Sequence, residues 1–154
     1  MGLYEDLCME YSHIYIKETN NLPSFQSGSC VNKEIFIRPN LSETHKAEIL
    51  AEELAHHKLT YGNILDQSQF NNRKFEGYAR RYAMEKMISL QDLVSAFKHG
   101  CHNLYTMANF FELTEGYVQD CIAHYKRKYG LATHCGNYVI QFEPLRVFEY
   151  KTIE

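Results

Sequence analysis

The segment Ser42-Glu-Thr-His-Lys-Ala-Glu-Ile-Leu-Ala-Glu-Glu-Leu-Ala-His-His-Lys-Leu59 reads as one amphipathic helix. Ser42 offers an N-cap oxygen for its first turn. Successive helical residues turn by about 100°, which puts Ala47, Leu50, Ala51 and Leu54 on one apolar face. Glu52 and His56, four residues apart, stack on the opposite side, with His45 in the same sector. Glu53 lies one step round and flanks His56. A carboxylate and an imidazole one turn apart, with a second carboxylate beside them, suit a metallohydrolase helix. Two ligands at i and i+4 grip one ion, and the carboxylate at i+1 takes a proton from water that the ion activates. Taken alone, the same pair is also what a solvated helix face looks like, so a second element is needed.

The next helix, predicted from about Asn72 to Ile88, offers that element. Phe75, Ala79 and Tyr82 form its core stripe, with Ala83 and Met87 on the flank. Glu76 sits at the stripe's edge in line with Ala79 and Ala83, small residues that let another helix come close. Two readings stand side by side. Glu76 either faces His56 across packed helices as a third ligand, leaving a fourth position open, or pairs with Arg80 as an i, i+4 salt bridge.

Upstream, a first helix is predicted over Leu3–Ser12, then a turn-rich stretch over Asn20–Ser29. Glu34-Ile-Phe-Ile-Arg38 reads as a strand ended by Pro39-Asn40. Downstream come a polar loop over Tyr61–Asn71 and two or three shorter helices between Gln91 and Tyr129, stopped by Gly130. Leu131–Tyr150 alternates around Gly136-Asn137, which predicts a hairpin, with Pro144 breaking it before a last strand over Val147–Tyr150. The expected class is α+β with helices predominating.

Composition bounds the function. The chain has 154 residues, 45% hydrophobic and 23% charged, which fits one globular domain. No apolar run approaches the ~20 residues of a membrane span, and mean hydropathy is -0.43. No secretory signal is visible, and Asp6 breaks the myristoylation pattern that Gly2 begins. A net charge of -3 argues against nonspecific nucleic-acid binding. Five cysteines, an odd number without a CxxC pair, indicate a reducing compartment, so the expected location is cytoplasmic.

Ile35-Phe-Ile-Arg-Pro-Asn-Leu-Ser42, Ile49-Leu-Ala-Glu-Glu-Leu-Ala-His-His57 and Glu76-Gly-Tyr-Ala-Arg-Arg-Tyr-Ala83 together resemble the ImmA/IrrE family of metallopeptidases associated with phages and mobile elements. The likeness runs on loosely to Tyr138-Val-Ile-Gln-Phe-Glu-Pro144, about three quarters of the chain. It implies a minimal zincin-like fold with a small sheet packed on the metal-binding helices. Residues 1–154 would form one such domain, with a metallopeptidase core at about 30–90, a helix-turn-helix-like segment at 91–130 and C-terminal strands at 131–150. The resemblance implies that Glu53 is the general base, that His56 and Glu76 are zinc ligands, and that Glu52 occupies the first ligand position. The family has His at that position, so the chain departs from it there; Ala55 also replaces a usual Gly, and Ser89 a Pro. The implied substrate is a protein, a repressor of the Xre/cI type encoded nearby. The strand holding Ile35, Phe36 and Ile37 is the expected edge on which substrate backbone pairs.

Other residues invite weaker readings. Leu104–Ile122 resembles a helix-turn-helix, but Glu115 and Asp120 are acidic where phosphates and bases would lie. Packing or repressor docking is the favoured use of that segment. His99, Cys101 and His102, with His134 and Cys135, match no structural zinc spacing. His45 and His57 are spare imidazoles near the site, and Tyr61 or Tyr78 are open candidates for steadying an oxyanion. Beside the peptidase reading stand a repressor-binding protein without catalysis and a DNA-binding regulator.

Overall fold

Ser42 accepts a hydrogen bond from the His45 amide at 3.2 Å and starts α2, Glu43–Tyr61, about which the first part of the chain is built. The structure, a computed structural model, describes residues 2–61 and 72–150. Two compact units are present, Met1–Ala83 and Met84–Glu154.

The first unit opens with α1, Leu3–Glu10, which packs on α2 through Tyr4 and Leu7. Three short strands follow: β1 Tyr15–Glu18, β2 Gly28–Val31 and β3 Glu34–Ile37. Their order is β1-β3-β2, with β1 parallel and β2 antiparallel to β3. The turn between β2 and β3 puts both Asn32 and Lys33 at positive φ, the backbone of a tight hairpin. Ile35 and Ile37 are fully buried, as are Ala47 and Leu50 of α2, while Ala51 and Leu54 complete the predicted core face. The helix α3, Asn72–Met87, buries Phe75, Ala79 and Ala83. Met84 is buried as well, whereas Tyr82 is half-exposed, so the apolar stripe is turned slightly from its predicted centre.

Two elements differ from the sequence reading. β1 lies where the sequence predicts no element, and β2 falls partly in the predicted turn-rich stretch. Gly28-Ser-Cys-Val31 has weak strand propensity of its own; pairing with β3 and packing on α2 hold it extended. The polar loop predicted beyond Tyr61 lies outside the described residues.

The second unit carries α4 Leu90–Lys98, α5 Leu104–Phe111 and α6 Glu115–Tyr129. Reciprocal capping boxes, Ser89 with Asp92 and Asn103 with Thr106, start α4 and α5. Thr114 caps α6, and Gly130 ends it at φ +87°. An antiparallel meander follows: β4 Ala132–Cys135, β5 Tyr138–Phe142 and β6 Leu145–Glu149, with Gly136-Asn137 as its first turn. Its core holds Ile88, Leu93, Met107, Val118, Cys121 and Ile140. No helix among the described residues is long and apolar enough to cross a membrane.

Candidate metal centre

Three side chains from α2 and α3 converge in the first unit. Glu52, His56 and Glu76 each offer one ligand atom, and those atoms lie within 4.8 Å of one another. Helical spacing stacks Glu52 over His56, and Glu76 follows directly on Phe75, whose ring meets the His56 imidazole edge-on at 5.6 Å. His56 Nε2 sits 3.0 Å from Glu76 Oε2. That contact is off the line a hydrogen bond requires, so this buried nitrogen lacks a hydrogen-bond partner among the described residues. Of the two readings for Glu76, the structure brings it to His56; Arg80 instead reaches across to Glu52, Nη2 to Oε1 at 3.9 Å.

Glu53 stands in the same cleft, which Ser29, Cys30, Ile49 and the three converging residues also line, with a volume of about 500 Å³. Burial, reinforced by the negative charges of Glu52 and Glu76, raises the Glu53 carboxyl to about 7. The Cys30 thiol rises to about 11, through burial and then the charge of Glu53, and so stays protonated and unreactive at neutral pH. Gly28 makes the close approach of β2 to α2 possible. A Cβ there would lie 2.5 Å from Ile49 Cγ2 and 3.3 Å from Glu53 Cγ.

The family model of the IrrE N-terminal-like domain, Peptidase_M78, matches residues 10–120. The chain belongs to this family. Membership makes it a metallopeptidase-like domain and implies a metal, usually zinc. No curated protein and no solved structure matches the chain. The residues present fit a divalent cation. Three donors from two helices come within 4.8 Å of one another, one of them a buried imidazole nitrogen left without a hydrogen bond, and all three line the open cleft. Two carboxylates with one imidazole make a harder, more negative donor set than two imidazoles with one carboxylate.

The strand predicted to pair with substrate is not an edge. β3 is the central strand, paired on both sides, and Ile35 and Ile37 are buried in the core, so neither they nor Phe36 can offer a free edge. The edge beside the cleft is β2. Sequence reasoning missed Gly28 and Cys30 because their place depends on strand order, which no local pattern encodes. Among the described residues neither His45 nor His57 joins the ligand cluster. The His57 ring packs 5.2 Å from that of Tyr61, and neither Tyr61 nor Tyr78 lines the cleft. His99 and His102 are exposed and bond to the carbonyls of Ser95 and Phe97.

Proposed function

We propose that the chain is a zinc-dependent endopeptidase acting on a protein substrate, a phage or mobile-element repressor of the Xre/cI type. The observation that carries this reading is the meeting of Glu52, His56 and Glu76 at one point with Glu53 in the same cleft. Glu52, His56 and Glu76 would hold zinc, which when bound would supply a Lewis acid and make hydroxide accessible near neutral pH. Glu53 takes the proton from the attacking water and returns it to the leaving amine; a carboxyl raised toward neutrality suits both transfers. The free edge of β2 aligns the substrate backbone by strand pairing. Arg80 offsets part of the charge that Glu52 adds in place of an imidazole.

Elemental analysis of protein purified without chelator tests the metal, with His56→Ala as control. About one zinc per chain, absent in the control, is the expected result. Glu53→Gln should then keep the metal and lose repressor cleavage. Retained cleavage removes Glu53 from the mechanism.

A second reading, repressor binding without cleavage, draws on the approach of Arg80 to Glu52, which engages the first ligand position with a cation. It predicts a folded protein that takes up no zinc on titration yet captures the repressor.

A further inference from the structure

The cleft has a rim with its own architecture. Residues 22–27 run into β2, and Arg38, just past β3, spends its guanidinium on their backbone. Its Nη2 donates to the carbonyls of Leu22, Pro23 and Gln26 at 3.2, 2.8 and 2.9 Å, and its Nε donates to Gln26 at 3.0 Å. The Arg38 amide also donates to the Ser27 carbonyl, and the Gln26 amide to the Pro23 carbonyl, both at 2.9 Å. Arg38 forms no ion pair among the described residues, so its charge and its planar fork serve this loop. At the loop's tip stands Phe25, 83% exposed, yet part of the cleft wall with Gly28, Ile49 and Glu53. An aromatic ring this exposed, on a backbone held by six hydrogen bonds within the same few residues, is positioned at little further cost in ordering when it meets a ligand.

We propose that Phe25 is a specificity-determining residue, the contact that selects an apolar substrate side chain, and that Arg38 is the positioning residue that holds it at the cleft mouth. The inference rests on the peptidase reading for the scissile bond and on the rim's geometry for the selection. Phe25 and Ile49 are the large apolar side chains of the cleft lining, and among the described residues no lysine or arginine lines it, so an apolar substrate side chain finds protein contacts there that an acidic one does not.

Two measurements test the proposal and separate it from the peptidase reading. In the first, zinc-loaded protein is incubated with a pool of unstructured twelve-residue peptides and the cuts are mapped by mass spectrometry. Wild type should favour Leu or Phe over Asp at one subsite. Phe25→Ala should raise KM for those peptides by about 10-fold at nearly constant kcat, the pattern of lost uniform binding. Arg38→Lys, which keeps the charge and loses the fork, should raise KM in the same direction and also speed hydrogen exchange at the Gln26 amide. An unchanged subsite profile in Phe25→Ala overturns the proposal.

The second measurement needs no hydrolysis. The chain has no tryptophan, so Phe25→Trp combined with Glu53→Gln makes a single reporter at the rim. Peptides with a fixed Leu should shift its emission to the blue, and peptides with a fixed Asp should not. If wild type cuts nothing, the peptidase reading fails, and this fluorescence alone decides the rim's role. Equal response to both peptide sets, or none, overturns it.

Discussion

Gly28 is the residue on which the cleft's width depends. Ile49 sits on a helix, where its β-branched side chain has one strongly preferred rotamer and cannot swing aside cheaply. Gly28→Ala should therefore destabilise the protein by about 1–3 kcal/mol, as overpacking does, and displace Glu53. A denaturant melt checks the first effect and loss of hydrolysis the second. Glu53 itself should leave a pH signature in the metal-free protein. Its carboxyl titrates at about 7 when folded against 4.5 for an unperturbed one, so folding takes up a proton between those values. Stability from this group is complete below 4.5 and is lost as pH rises through about 7. With chelator present, Glu53→Gln should match wild type at pH 4 and exceed it at pH 8 by about 2 kcal/mol. Equal melting curves at both pH values would show that the carboxyl is not shifted.

At the scale of elements, α6 is tied within the second unit by a buried imidazole. His124 Nε2 lies 3.0 Å from Glu85 Oε2, and Lys128 Nζ reaches the other oxygen at 2.8 Å. Burial works to raise the Glu85 carboxyl, but the hydrogen bonds from Lys128 and His124 outweigh it and hold the carboxyl below the usual range. A depressed carboxylate contributes stability above its unfolded pKa and loses it as pH falls through the folded one. Glu85→Gln should cost about 1 kcal/mol at pH 7, kept small by solvent at this part-exposed group, and nothing near pH 2. Urea titrations at the two pH values give the comparison. On α4, Ser89→Ala breaks the capping box with Asp92 and should cost about 1 kcal/mol in the same assay.

For the whole molecule, metal uptake is a stability measurement. An ion that binds only the folded chain raises the unfolding free energy by about 2.7 kcal/mol when present at 100 times its Kd. The thermal midpoint should climb with added zinc in wild type, fall back on chelation and stay flat in His56→Ala. A midpoint in the His56→Ala variant that tracks zinc as wild type does would place the ion elsewhere.

The α2 core face, the Glu52–His56 stack and the stop at Gly130 follow from side-chain period and local backbone preference, which act within a few residues and can be read from sequence. The α5 and α6 caps and the Gly136-Asn137 turn are local in the same sense. Glu76 was legible only as two alternatives, because a helix face shows where a carboxylate points but not which neighbour arrives. Packing resolved it toward His56 and sent Arg80 to Glu52. Strand order was not legible at all: Ile35, Phe36 and Ile37 have the pattern of a strand whether central or at an edge. Pairing partners from distant segments made β3 the centre of its sheet. They left the cleft's edge to Gly28–Val31, whose composition alone gives no sign of a strand.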